Sequence, residues 1–338
     1  MEIQQAIKHV TERRDLSKED MRTVMTAIMS GEVTPAQIGG FLVGLRMKGE
    51  TVDEVAAAAD VMREMATPVV TGDLSVVDIV GTGGDGLRTF NISTACCFVV
   101  AAAGGYVAKH GNRSVSSSSG AADVLEKAGL RLDLSPAQIS RCIEETGVGF
   151  MFAPAHHAAM KYAIGPRREL AIRTLFNVLG PLTNPAKVKR QLLGVYDQRW
   201  VEPLAAALIQ LGSEHAMVVH ARDGMDEISI GSRTDVAELR EGGISVYTIS
   251  PEDFGLARAD CAELVVENAE QSLHLLQAVL GGKKGPASDI VALNAGAALY
   301  VSGLAESLSM AVNKAQVILS SGAALQRLQQ LTAFSQTV

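Results

Sequence analysis

LSVVDIVGTGGDGLRTFNISTACCFVVAAAGGYVAKHGNRSVSSSSGAADVLEKAGL, residues 74–130, is the stretch on which the fold class turns. LSVVDIV is a short β-branched run with the make-up of a buried strand. The glycine loop GTGGDG follows at 81–86, then NIST at 91–94 and an apolar helix, ACCFVVAAAG, stopped by Gly104-Gly105. YVAK reads as a second strand that opens into HGNRSVSSSSG. ADVLEKAGL is the next helix, with Gly129 as its stop. The order strand, loop, helix, strand, loop, helix predicts parallel strands with both loops at their carboxyl ends. In an open α/β sheet that edge binds ligands.

Upstream, residues 1 to about 70 read as helices with clear start signals. Thr34-Pro35 puts a capping hydroxyl before a first-turn proline, and Thr51-Val-Asp-Glu54 is a capping box ahead of VAAAADVMREM. No segment there alternates like a strand. Downstream, Ser135-Pro136-Ala-Gln138 starts another capped helix. The Pro-, Gly- and Arg-rich stretch 150–195 reads as crossing back towards the N-terminal helices. From WVEPLAAALIQLG onward the α/β pattern resumes, with AMVVH and VYTI as strands. The expected class is α/β: a small all-helical N-terminal domain (1–70, joined by helices from about 165–190) plus a large α/β domain (72–160 and 191–338).

The 338 residues are 47% hydrophobic and 20% charged, which excludes a disordered or collagen-like chain. Aromatics at 4% argue against stacked bases, and a net charge of −7 argues against nucleic acid or anionic membrane as a partner. The longest uncharged stretch, Asn91 to Ala108, holds Asn, Ser, Thr and a glycine pair and is no membrane span. Four cysteines without C-x-x-C spacing, and an N-terminus without an apolar leader, point to a cytoplasmic protein with reduced thiols.

Glycine, 32 residues, is in excess, and six of them (81, 83, 84, 86, 111 and 120) fall in or beside the two loops. The first loop matches G-x-G-x-x-G literally. A dinucleotide site needs a helix opening inside the loop and an acid about 20 residues on; here the helix opens near Ser93, and the later segment, GGYVAKH, carries a lysine. The glycines still let backbone N–H groups approach an anion, and Ser93 and Thr94 sit at a helix N-terminus. On its own the loop also fits a tight structural turn. The second loop carries Lys109 and Arg113, five hydroxyls and no acid over 109–119. Clamped between strand and helix, it reads as a second phosphate cradle. Asp223, Asp226 and Glu227 follow the strand AMVVH; at the same edge they would repel phosphate unless a cation such as Mg²⁺ intervened. Lys161 to Arg173 holds four positives against one acid, and an arginine there suits a planar carboxylate. His156-His157 lacks metal-ligand spacing and reads as a pocket wall or satisfied core pair.

Together GTGGD, NIST, KHGNRSVSS, FAPAHHAAMKYAIGPRRELAIRTLFNVLGPLTNP and DGMDE resemble the anthranilate phosphoribosyltransferase family of tryptophan biosynthesis, in order and over essentially the whole chain. The resemblance implies a nucleoside phosphorylase/phosphoribosyltransferase-like fold with a mostly parallel central sheet. It also implies a homodimer and transfer of the ribosyl group of phosphoribosyl diphosphate to anthranilate, with two Mg²⁺ ions per subunit. By residue, it implies that Gly81 contacts both substrates and that Gly84, Asp85, Thr89, Asn91, Ile92, Ser93 and Thr94 contact the donor. Lys109, His110, Gly111, Asn112, Arg113, Ser114, Val115, Ser116, Ser117 and Ala121 would continue the donor site, with Lys109 opposing the charge of the leaving diphosphate. Asn112 and Arg167 would hold anthranilate, and Ser93, Asp226 and Glu227 the metal. A pyrimidine nucleoside phosphorylase of similar architecture would have no need of the DGMDE acids. A non-catalytic nucleic-acid-binding relative would be basic.

Overall fold

The computed structural model describes residues 1–114 and 119–338; Val115, Ser116 and Ser117 of the expected donor loop lie outside them. The chain opens with four helices, α1 (Ile3–Thr11), α2 (Lys18–Ser30), α3 (Pro35–Lys48) and α4 (Val52–Met65). The expected caps are in place: Thr34 and Thr51 each complete a reciprocal capping box. Glu54 is fully buried, and this is tolerable because its carboxylate is saturated. It accepts from the Leu16 and Thr51 N–H groups at 2.9 and 2.8 Å and pairs with Lys48 at 2.9 Å.

The α/β part follows as β1 (Val76–Gly81), α5 (Ile92–Ala102), β2 (Tyr106–Gly111), α6 (Ala121–Lys127), α7 (Pro136–Thr146) and β3 (Val148–Phe152). Next come α8 (Ala153–His156), α9 (Lys161–Leu170), α10 (Phe176–Leu179), β4 (Arg190–Gly194), α11 (Val201–Gln210) and β5 (His215–Ala221). β6 (Thr234–Arg240), β7 (Gly243–Ile249), α12 (Ala269–Leu280), α13 (Pro286–Val301), α14 (Leu308–Ser321) and α15 (Ala323–Ser335) complete the chain. The sheet order is β3-β2-β1-β4-β5-β6-β7, with the first five strands parallel and β6 and β7 antiparallel. The α/β class with a mostly parallel sheet is as the sequence predicts. Three of the seven strands, β3, β4 and β6, escaped the sequence reading. VGFMF and RQLLG are five-residue runs without alternation, and TDVAELR carries charges that suggest a loop. The α/β pattern expected to the end of the chain also stops at β7, and four helices follow.

Sheet residues alternate between two cores. Leu192, Met217, Val219 and Val236 face the core built with α5 and α13–α15, while Leu193, Ala216, Val218, Ala237 and Leu239 face α11 and the N-terminal helices. α9 packs on α2 and α3. The chain leaves β1 for β2 on one side and reaches β4 on the other, so the sheet's topological switch point lies between β1 and β4. The carboxyl ends of those two strands are joined directly: the Thr82 N–H donates to the Gly194 carbonyl at 2.9 Å, and the Tyr196 N–H to Thr82 Oγ1 at 3.0 Å.

Candidate active site

Gly81 and Gly194 end β1 and β4 in register, and Asp226, from the irregular loop after β5, closes over both. A Cβ on Gly81 would lie 2.9 Å from the Asp226 carboxyl carbon, and one on Gly194 would overlap the Asp226 carbonyl group. These are glycines because only a hydrogen fits beneath the acid. The acid loop has its own glycine at the bend, Gly224, with φ +96°.

The two neighbouring acids reach different loops. The Gly83 N–H donates to Asp226 Oδ2 at 2.6 Å, and the Ser93 N–H, in the first turn of α5, donates to Glu227 Oε1 at 3.2 Å. Asp85 faces Asp226. Burial, and then Asp85, push the Asp226 carboxyl well above the usual carboxylate range; burial, and then Asp226, push Glu227 up to about 8. The opposing cation is Lys109, on β2 and almost fully buried, whose Nζ donates to the Ile79 carbonyl at 2.6 Å and to Ser93 Oγ at 3.3 Å. Acids, lysine and a helix N-terminus thus converge on Ser93.

Asn91, the cap residue of α5, is held rather than free. Its Oδ1 accepts from Ser119 Oγ at 2.8 Å and from Ser272 Oγ at 2.7 Å, which ties the first loop to the end of the second. Ile92 and Thr94 are buried, and Thr94 Oγ1 has no hydrogen-bond partner among the described residues. Thr89 bridges to Val265 at the rim. On the second loop, the Ser114 and Gly120 N–H groups both donate to Asp123 Oδ2 at 2.9 Å, drawing the loop ends together. A Cβ on Gly120 would come 2.6 Å from the Asn112 carbonyl oxygen, so that closure demands glycine. The Arg113 guanidinium is engaged by Asp123 and Glu126 at 3.0 and 2.7 Å, and Ala121 begins α6 behind the loop.

Beneath β2, His110 and His157 pack with ring centroids 5.1 Å apart. Burial first, and then neighbouring histidines, push His110 down to about 3 and His157 to about 4, so both rings are neutral. The Nε2 atoms of His110, His156 and His157 have no partner among the described residues, so the histidine pair is not the satisfied core pair that was one of its two expected readings. Asp78 supports this wall: it accepts from the His110 N–H at 3.2 Å and from Asn184 Nδ2 at 2.8 Å. On the connector, Arg167 is half-buried over the Phe176 ring, 5.3 Å from its centroid. It has no acidic partner among the described residues, and burial lowers its pKa. Arg173 lies over the Tyr196 ring at 4.0 Å and donates to the Gly84 carbonyl.

Sequence reasoning missed Gly194, Asp123 and Ser272, and gave Arg173 no role of its own beyond its place among the four positives of its segment. Asp123 was findable, since it stands three residues after Gly120 as a capping-box acid does. Gly194 and Ser272 owe their roles to residues far away in the chain, and no local signal marks them. The arrangement offers N–H donors and a lysine for a polyanion, a cluster of acids for a cation, and, in Arg167, a guanidinium unpaired among the described residues for a carboxylate. No set of three His, Cys, Asp or Glu side chains among the described residues is placed to hold a metal alone.

The model of the glycosyl transferase family a/b domain matches residues 73–325, and that of its helical bundle domain matches residues 4–66. An anthranilate phosphoribosyltransferase of Thioalkalivibrio sulfidiphilus is 62% identical over 99% of both chains. The crystal structure of anthranilate phosphoribosyltransferase from Thermus thermophilus superposes with a TM-score of 0.93 at 42% identity, covering 98% of this chain and 99% of that one. The Saccharomyces cerevisiae enzyme in complex with PRPP and Mg matches with a TM-score of 0.89 at 25% identity, over 99% and 98% of the two chains. This chain is a pentosyl transferase and belongs to the anthranilate phosphoribosyltransferase family.

Proposed function

We propose that the edge formed by the carboxyl ends of β1, β2 and β5 binds phosphoribosyl diphosphate and passes its ribosyl group to the amine of anthranilate. The products are N-(5-phosphoribosyl)anthranilate and diphosphate, the second step of tryptophan biosynthesis from chorismate. The observation that carries this reading is the convergence on Ser93: a helix N-terminus, the Glu227 carboxylate and Lys109 meet at one hydroxyl-bearing residue.

Each step follows from groups in place. Departure of diphosphate builds negative charge, which Lys109 and the N–H groups of Gly84 and Thr94 oppose, joined by those of Gly83 and Ser93 once Asp226 and Glu227 release them. Mg²⁺ fits here because Asp85, Asp226 and Glu227 are buried or half-buried against a single lysine. Two ions held by Asp226, Glu227 and Ser93 would complete their shells with donor oxygens and water. When bound, Mg²⁺ supplies further neutralisation of the leaving group. Arg167, without an acid partner among the described residues, is assigned to the anthranilate carboxylate, with Asn112 beside the acceptor. The aromatic amine is neutral at pH 7 and needs no strong general base. Gly81, Gly84, Asp85, Thr89, Asn91, Ile92, His110, Gly111, Arg113, Ser114 and Ala121 complete the proposed donor site.

We assign a homodimer through α3. Its outward stripe, Ala36, Gly39, Gly40, Val43 and Met47, is apolar or small, with Met47 69% exposed, and no charge interrupts it. We place the protein in the cytoplasm, which suits four unpaired cysteines; no helix among the described residues is long and apolar enough to cross a membrane. The test is the loss of anthranilate fluorescence on addition of phosphoribosyl diphosphate and Mg²⁺. Turnover of a pyrimidine nucleoside with inorganic phosphate, with none of this pair, would overturn the reading.

A further inference from the structure

Asn294 is an anomaly within its helix. α13 is otherwise apolar over its buried face, Ile290, Val291, Ala292, Leu293, Ala295 and Ala297 all being inaccessible, and Asn294 is fully buried among them. An asparagine is a poor interior helix residue, and a buried amide is costly unless every polar atom is used. Here both ends are used, on one residue 66 positions away. Asn294 Oδ1 accepts from the Ile228 N–H at 2.8 Å, and Nδ2 donates to the Ile228 carbonyl at 2.8 Å and to its own helix at the Ile290 carbonyl at 2.9 Å. Ile228 is the residue directly after Asp226-Glu227.

The position of α13 is itself fixed. A Cβ on Gly296 would lie 2.6 Å from Val312 Cγ2, so α13 and α14 are locked at backbone distance. On another face α13 packs on α5, where Cys96 Sγ donates to the Val291 carbonyl. α5 is the helix whose first turn carries Ser93, and the Ser93 N–H donates to Glu227. One rigid helix therefore sets both the acid loop and the helix N-terminus that it faces.

We infer that Asn294 is a positioning residue for the acidic pair: its two-way clasp on the Ile228 backbone fixes where Asp226 and Glu227 stand relative to Ser93, and with it the affinity for a divalent cation. The inference rests on the proposed metal role of those acids. Asn294→Leu keeps the branched shape, adds bulk and removes the clasp; Asn294→Ser removes the clasp and leaves room for water. The readouts are Mn²⁺ binding by electron paramagnetic resonance in the presence of phosphoribosyl diphosphate, the Mg²⁺ concentration for half-maximal activity, the KM for anthranilate, and the thermal midpoint. Orienting groups behind metal ligands contribute about 10- to 100-fold in affinity. The expected result is a loss of that size in Mn²⁺ binding and a matching rise in the Mg²⁺ requirement, with the anthranilate KM within about twofold. Unchanged Mn²⁺ binding in a folded variant overturns the inference, as does an equal loss in every parameter. If neither variant folds, Asn294 is a residue of the core and the inference also fails. Asp226→Asn with Glu227→Gln is the companion arm: unchanged Mn²⁺ binding there sinks the metal reading itself rather than the role of Asn294.

Discussion

A single methyl group at position 194 tests whether the site depends on where Asp226 stands. A Cβ on Gly194 would overlap the Asp226 carbonyl group and lie 3.3 Å from its Cα. Ordinary contact is about 3.5 Å, so strand and loop must separate by about 2 Å. β4 cannot be the part that gives. It is a central strand, with Gly194 paired to Gly81 on one side and Val219 on the other. The acid loop must move, and its carboxylate then leaves the Gly83 N–H and the site facing Ser93. A misplacement of 1 Å costs about 100-fold in rate, so Gly194→Ala should lose at least about 100-fold in kcat/KM, or about 2.7 kcal/mol of transition-state stabilisation. Overpacking adds a stability loss of about 1–3 kcal/mol. Gly243→Ala is the control: it lies in the same sheet, and its Cβ would meet nothing closer than 3.7 Å. Fluorescence kinetics with saturating Mg²⁺, alongside thermal melts, separates the two effects. If Gly194→Ala keeps kcat/KM within about threefold of the parent, the glycine is not there to admit Asp226 and the argument fails.

Arg167→Ala should raise the anthranilate KM by at least about tenfold, the loss of a charge-assisted fork, while the KM for phosphoribosyl diphosphate stays put; steady-state kinetics in each substrate checks this. Asp226→Asn with Glu227→Gln should abolish Mg²⁺-dependent turnover and yet stabilise the metal-free protein relative to the parent by an amount that grows from about pH 4 to about pH 8. Raised folded-state pKa values mean that the native chain binds protons more tightly than the unfolded one, so the parent loses stability as pH rises through that window. Thermal melts across pH read it, and parallel profiles for parent and variant would refute it. Val43→Arg, on the outward stripe of α3, should sediment as a monomer in analytical ultracentrifugation where the parent sediments as the proposed dimer, without lowering the thermal midpoint of the isolated chain; a monomeric parent sinks the proposed dimer, and a dimeric variant sinks the assignment of that face.

The legible part of this fold was local. GTGGDG, NIST and the capping boxes at Thr34, Thr51 and Ser135 each bind their signal within a few residues, and each stands where that signal puts it. What escaped was set by partners distant in the chain. β4 is a strand because β1 and β5 flank it, and RQLLG in a Pro- and Arg-rich stretch does not advertise that. Gly194 must be glycine because of Asp226, and Asn294 must be polar because of Ile228. Arg113 shows the converse: its charge suited a phosphate loop, but the nearer acids of α6 take up the guanidinium in this structure.

The acids and the anion loops are also linked by the hydrogen-bond requirement of the backbone. N–H groups at the head of a helix or a glycine turn need an acceptor. Each loop takes one from its own chain: Asp226 serves Gly83, Glu227 serves Ser93, and Asp123 serves Ser114 and Gly120. A phosphate entering the first loop therefore competes with a carboxylate already there. Once displaced, that carboxylate would be left facing Asp85 and Glu227, with Lys109 opposing only Glu227, a charge imbalance that a low-dielectric site penalises heavily. A divalent cation removes the penalty and at the same time ties the freed carboxylate to the incoming phosphate. At the proposed site anion and cation would then favour each other's binding by equal factors, because the coupling free energy belongs to the pair. The chain's overall charge of −7 says nothing of this; the coupling comes from three acids placed on the N–H groups that the donor would use.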